Sequence, residues 1–176
     1  MKKIFYLFAS VNGAGKSTLY NLAMINQNIK NTIRINTDEI VREIGDWKNN
    51  SDQLKAAKMA INLRNECFLY GKSFNEETTL TGKTILKTID KAKELGYELQ
   101  LFYVGLNSPE IAKERIKSRV KKGRHNIEND VVEKRYYESL KNLKEIILKF
   151  DKIQLYDNSS ELLTTNTLRV LESRAS

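Results

Sequence analysis

The segment Gly13-Ala14-Gly15-Lys16-Ser17-Thr18, set between an apolar run over Ile4 to Phe8 and a helical stretch from Ser17, constrains this chain more than any other feature. Apolar residues without alternation read as a strand buried on both faces of a parallel sheet. A glycine-rich turn that follows such a strand and opens a helix is the setting of a phosphate-binding loop. Glycines let backbone N–H groups converge on a phosphate, and the helix N-terminus adds about half a positive charge. Lys16 is then expected to reach the β and γ phosphates of ATP, and Ser17 to offer an oxygen to Mg²⁺. Asn12, Gly13, Ala14, Gly15, Lys16, Ser17 and Thr18 are the expected nucleotide-binding residues, with Ser17 the metal ligand. The full pattern asks for glycine at position 10, where Ser10 stands. Serine takes a positive φ only at a cost, so this departure predicts a strained loop or weakened nucleotide binding.

The rest of the chain alternates strand and helix. Thr32 to Asn36 reads as a second strand, with Thr37 as N-cap and Asp38 and Glu39 in the favoured acidic first turn of the next helix. Leu54, Ala57, Ile61 and Phe68 predict a helix over residues 51–70, stopped by Gly71. A short strand over 72–77, a helix over 83–95 and an apolar strand over 97–105 follow. Ser108 and Pro109 mark a helix start. Val131, Tyr136, Leu140, Leu143, Ile147 and Phe150 give an amphipathic helix. A strand over 152–156 and a helix from Ser160 complete the reading. This alternation predicts an α/β chain with a parallel sheet of about five strands and helices on both faces. The absence of repeats or linkers makes residues 1–176 a single expected domain.

Composition narrows the partners. Hydrophobic residues make up 40% of the 176, enough for one core. No run approaches the roughly 18 apolar residues of a membrane span. The apolar run after Lys2 and Lys3 leads into Ser-Val-Asn-Gly and not a cleavage site, so a cytoplasmic location is expected. One cysteine, Cys67, excludes an intramolecular disulfide, and with the single His125 it cannot make a zinc site, so any metal takes oxygen ligands. The formal charge of +8 points to anionic partners. Between Glu110 and His125 seven basic residues face two acidic ones, so most of the surplus lies in one helix and its following loop, a basic lid. Arg115 and Arg119, four apart, project from one helical face and can both approach a phosphate chain, or can simply be solvated.

In parallel sheets a ligand lies at the carboxyl ends of the strands. Asp38 lies beyond the second strand, Glu76-Glu77-Thr78-Thr79 ends the third, and Asp157-Asn158 ends the last. Acidic strand ends around a phosphate loop suit Mg²⁺ and an acceptor hydroxyl. Asp157 is placed with the nucleotide.

Five segments in order resemble the zeta-toxin family of small kinases: Ser-Val-Asn-Gly-Ala-Gly-Lys-Ser-Thr-Leu, Ile-Asn-Thr-Asp-Glu-Ile, Phe-Asn-Glu-Glu-Thr-Thr-Leu, Arg115 to Arg124 with Gly-Arg-His, and Arg-Tyr-Tyr-Glu-Ser-Leu-Lys-Asn-Leu. The resemblance implies a P-loop kinase fold and transfer of the ATP γ phosphate to a hydroxyl, in characterised members the 3′-hydroxyl of UDP-N-acetylglucosamine. It implies Lys16, Asp38, Arg115 and Arg119 as catalytic residues, with Asp38 as base, and Asp38, Glu77 and Thr79 as acceptor contacts. It also implies an antitoxin protein as partner. Arg124 stands where compact relatives carry a second glycine before His125, and the chain is shorter than the characterised toxins. A kinase for another small-molecule or polynucleotide hydroxyl is the second reading. A nucleotide- or nucleic-acid-binding module with weak or no turnover is the third. Glu110 to His125 holds no aromatic residue to stack on bases, which disfavours nucleic acid.

Overall fold

The computed structural model describes residues 2–25, 27–121, 127–160 and 171–173. Its elements are β1 (Ile4–Ser10), α1 (Lys16–Ala23), α2 (Gln27–Lys30), β2 (Ile33–Ile35), α3 (Thr37–Ile44), α4 (Asn50–Tyr70), β3 (Phe74–Thr78) and α5 (Lys83–Glu94). They continue with β4 (Glu98–Gly105), α6 (Pro109–Val120), α7 (Asn129–Ile146) with a 3₁₀ turn at Ile147–Lys149, β5 (Lys152–Asp157) and β6 (Leu171–Ser173). The sheet order is β2-β3-β1-β4-β5-β6. The first five strands are parallel, as the alternation predicts, and β6 runs antiparallel to β5. The expected C-terminal helix is therefore corrected at 171–173, which form a strand. The remainder of that expectation, 161–170 and 174–176, lies outside the described residues, as do Arg124 and His125 of the basic lid.

Each face of the sheet carries its own core. Phe5, Leu7, Ala9, Phe74, Leu99 and Leu101 point to the side covered by α3, α4 and α5. Tyr6, Phe8, Phe102 and Val104 point to the side of α1 and α6. Successive strand residues alternate between faces, and the uninterrupted apolar run of β1 feeds both. Helix α7 bridges the two, with Val132 and Tyr136 in the second core and Ile146 in the first. No helix among the described residues is long and apolar enough to cross a membrane.

Several local expectations are corrected. The N-cap of α3 is Asn36 and not Thr37: its side chain accepts from the N–H groups of Asp38 and Glu39. Ser108 and Pro109, by contrast, stand at the N-cap and first helical position of α6 as expected, although Ser108 makes no side-chain cap bond. Helix α4 buries Ala56, Ala60, Arg64 and Cys67, while Leu54 is 65% and Ile61 44% exposed. Small alanines let this helix lie close to the sheet, and Arg64 is turned inward to meet Glu76 of β3, so Leu54 and Ile61 turn away while Phe68 still packs on Phe74 and Tyr97 as expected. In α7, Val131 is exposed and its neighbour Val132 is buried in its place.

At the opposite end of the sheet from the strand carboxyl termini, Glu98 is buried beside Lys2 Nζ at 2.6 Å and Lys152 Nζ at 3.0 Å, and it accepts from Gln100 Nε2 at 2.7 Å. The Lys2 hydrogen bond is the largest influence, and with the help of Lys152 and Gln100 it outweighs burial, holding the carboxyl down at about 2. A carboxyl depressed on folding contributes stability that is complete above its ordinary value near 4.5 and lost as pH falls towards 2. Glu98→Gln is expected to destabilise the protein by about 1–2 kcal/mol at pH 7, and the gap to the parent should close between these two pH values. A gap constant across pH in denaturant titrations would refute this.

Candidate active site

The carboxyl ends of β1 to β5 gather the expected site residues along one edge of the sheet. Pairing sets Ala9 beside Thr78, Ser10 beside Val104 and Gly105 beside Asp157. The turn between β1 and α1 carries Gly13 at φ 79° and Gly15 at φ 99°, both in the left-handed region. A Cβ on Gly15 would stand 2.7 Å from Asn158 Nδ2, so the glycine answers both a backbone and a space requirement. Helix α1 begins at Lys16 with no side-chain cap and no acidic residue in its first turn. Its first N–H groups are thus left for an anion, the arrangement that a phosphate needs.

Ser10 does not strain this loop. It is the last residue of β1, is not among the positive-φ residues, and donates from Oγ to the Val11 carbonyl at 3.0 Å. The expectation of a strained loop at Ser10 is thereby corrected: glycine is not conformationally required there. Among the described residues no three His, Cys, Asp or Glu side chains converge into a metal cage. Ser17, in the first turn of α1, carries a hydroxyl of the kind that a magnesium ion accompanying nucleotide phosphates would accept as a protein donor.

Residue alternation in β3 separates the two glutamates that the sequence offers together. Glu76 turns to the α4 face, where Arg64 binds it through Nε at 3.0 Å and Nη2 at 2.6 Å. Glu77 turns to the α1 face, where its Oε1 accepts from Arg34 Nη2 at 2.6 Å and Asn36 Nδ2 at 2.8 Å. Arg34 also pairs with Glu39 at 2.8 Å and lies over the Tyr20 ring at 3.8 Å. Asn36 thus links two expected acceptor residues: its Oδ1 caps the helix whose first turn carries Asp38, and its Nδ2 holds Glu77. Asp38 is exposed on that first turn, and its carboxylate takes no partner among the described residues. Thr79 Oγ1 lies 2.8 Å from Thr81 Oγ1.

On the nucleotide side the structure separates Asp157 from Asn158. Asp157 Oδ1 accepts from the backbone N–H of Ser159, closing a turn. Asn158 is the residue that reaches the phosphate loop. Its Nδ2 donates to the Ala14 carbonyl at 2.8 Å, and its own carbonyl accepts from Arg115 Nη2 at 2.8 Å. Arg115 is therefore anchored beside the loop. Arg119 is exposed in the last turn of α6. Lys113 pairs with Glu133 of α7 at 2.5 Å, tying the two helices together.

Three residues at this edge were not singled out by sequence reasoning, Arg34, Asn36 and Arg135, whose Nη1 donates to Asn12 Oδ1 at 3.3 Å, and Asn158 was named only as a strand end. A charged residue inside the strand Ile33-Arg34-Ile35, and an arginine heading Arg-Tyr-Tyr, were the available signals.

Comparison with known proteins agrees with this geometry. The Zeta toxin family model matches residues 1–167. An uncharacterised protein of Haemophilus influenzae is 37% identical over 135 residues, covering 77% of this chain and 92% of the relative. Among solved structures, the PezAT chromosomal toxin–antitoxin system of Streptococcus pneumoniae superposes with a TM-score of 0.67 at 20% identity, over 89% of this chain and 68% of the other. The AvrRxo1-ORF1:-ORF2 complex with ATP superposes with a TM-score of 0.64 at 13% identity, over 97% of this chain and 57% of the other. These two likenesses are of fold. With a phosphate loop, acidic strand ends and a family match over nearly its whole length, the chain belongs to the zeta-toxin family of P-loop kinases.

Proposed function

We propose that this protein is an ATP- and Mg²⁺-dependent kinase that phosphorylates a hydroxyl of a nucleotide-activated sugar, with UDP-N-acetylglucosamine the first acceptor to test. The observation that carries this reading is the Asn36 bridge, which holds Glu77 and the Asp38 helix together at the strand ends beside the phosphate loop. Two carboxylates on the acceptor side and a cationic, N–H-rich loop on the donor side are the parts that phosphoryl transfer requires.

ATP, when bound, would supply the phosphoryl group and leave as ADP, and a Mg²⁺ held beside it by Ser17 would offset the phosphate charge. Gly13, Gly15 and the first turn of α1 cradle the phosphates, and Lys16 neutralises their charge. Arg115, steadied by the Asn158 carbonyl, and Arg119 with Arg135 close the site with positive charge. Asp38 takes the proton of the attacking hydroxyl at its carboxylate, and Glu77 and Thr79 orient that acceptor. The family and the toxin–antitoxin neighbour support an antitoxin protein as partner, whose binding would keep the kinase silent.

Labelled ATP incubated with nucleotide sugars, free sugars and oligonucleotides bearing 5′-hydroxyl ends tests the reading. Label is expected on UDP-N-acetylglucosamine, in a magnesium-dependent manner. Label passing only to water or to an oligonucleotide end would overturn it.

A further inference from the structure

Helix α7 presents a stripe of polar side chains to both loops of the site. Arg135, Glu138 and Asn142 are spaced three and four apart and so share one helix face. Arg135 meets Asn12 of the phosphate loop. Glu138 Oε1 accepts from the Gly82 backbone N–H at 2.8 Å, and Asn142 Nδ2 donates to the Leu80 carbonyl at 3.0 Å. Both of these contacts fall on the segment between β3 and α5 that carries Thr79.

That segment is strained. Leu80 has φ 56°, the only positive value at a non-glycine residue among those described, and its side chain is fully buried. A left-handed conformation is unfavourable for an L-residue with a Cβ, and it persists only where the surroundings enforce it. Here Thr78 Oγ1 accepts from the Leu80 N–H at 2.9 Å, Asn142 holds the Leu80 carbonyl, and Glu138 holds the Gly82 N–H. Asn142 is itself buried, and its amide is committed to this carbonyl.

We infer that Glu138 and Asn142 are positioning residues: they hold the Thr79–Gly82 loop in its strained form, so that one helix sets the acceptor contact Thr79 relative to the phosphate loop. This rests on the reading of Thr79 as an acceptor contact. Because the two residues act on the acceptor loop alone, their loss should weaken acceptor use without weakening ATP binding. A merely structural role would lower the stability and raise the KM values for acceptor and ATP alike.

Glu138 is the residue to alter, since it is half-buried and its replacement spares the core. In Glu138→Leu the KM for UDP-N-acetylglucosamine should rise about five- to tenfold, as expected for one lost side chain–backbone hydrogen bond, with KM for ATP within about twofold of the parent. Glu138→Gln, which keeps an oxygen for the Gly82 N–H, should restore the acceptor KM. Amide hydrogen exchange should show faster exchange at Gly82 in the leucine variant and not in the glutamine variant. An unchanged acceptor KM in Glu138→Leu, an equal rise in both KM values, or failure of glutamine to restore would overturn the inference while the parent still transfers phosphate. Absence of transfer to any hydroxyl by the parent would instead overturn the functional reading and the inference with it.

Discussion

Asp38→Asn should leave ATP bound and slow phosphoryl transfer by about 10²–10⁴-fold, the usual contribution of a positioned acid or base. The geometry makes this a clean substitution. Asp38 is exposed at the first turn of α3, its carboxylate takes no partner among the described residues, and the helix is capped by Asn36 through backbone N–H groups that asparagine at 38 still possesses. The side chain differs little in size, and the lost interaction with the helix dipole is worth only about 0.3–1 kcal/mol. The fold and the nucleotide cradle should therefore survive. Calorimetric ATP binding should match the parent, while single-turnover transfer from labelled ATP falls. Equal turnover would remove Asp38 as the base. A parallel loss of ATP affinity would place it on the nucleotide and not on the acceptor.

The order of strands and helices was legible because β1 and the 101–104 stretch of β4 are apolar runs and strand-like segments alternate with helical periods, and the phosphate loop was legible because its glycines, lysine and hydroxyl are contiguous. Orientation was not. Adjacent glutamates in Phe-Asn-Glu-Glu-Thr look equivalent in sequence, yet alternation along β3 sends Glu76 to Arg64 and Glu77 to Arg34 and Asn36. The same holds for Asp157 and Asn158, of which the amide and not the acid reaches Ala14. In α4 Phe68 packs inward as its spacing suggested, but Leu54 and Ile61 do not, because the face toward the sheet is given to Ala56, Ala60 and Arg64, whose charge partner Glu76 lies there. Arg135 was invisible for a related reason: its target, Asn12, lies 123 residues away, and only the packing of α7 beside the loop brings them together.

Loss of the Arg64–Glu76 pair on one side only should be the most costly change to the fold. Both residues are under a tenth exposed, and the two hydrogen bonds at 3.0 and 2.6 Å make the contact a bidentate fork between α4 and β3. Arg64→Leu removes the guanidinium and leaves the Glu76 carboxylate buried without compensation, which costs about 3–5 kcal/mol. That is a large share of the roughly 5–15 kcal/mol that holds a domain together. Attraction within such a pair is largely offset by the desolvation of both charges, so replacing both should cost far less than replacing one. Arg64→Leu combined with Glu76→Leu should recover most of the loss, and the sum of the two single-variant losses minus the loss in the double variant is the coupling energy of the double-mutant cycle. The denaturant midpoints of the four proteins measure it. A single-variant loss below about 1 kcal/mol would mean that water already reaches the pair as it does in surface ion pairs. Because Glu76 precedes Glu77 in β3, a displaced strand end should also loosen Arg34 and Asn36, so Arg64→Leu should lose acceptor use at temperatures where its sheet is still folded.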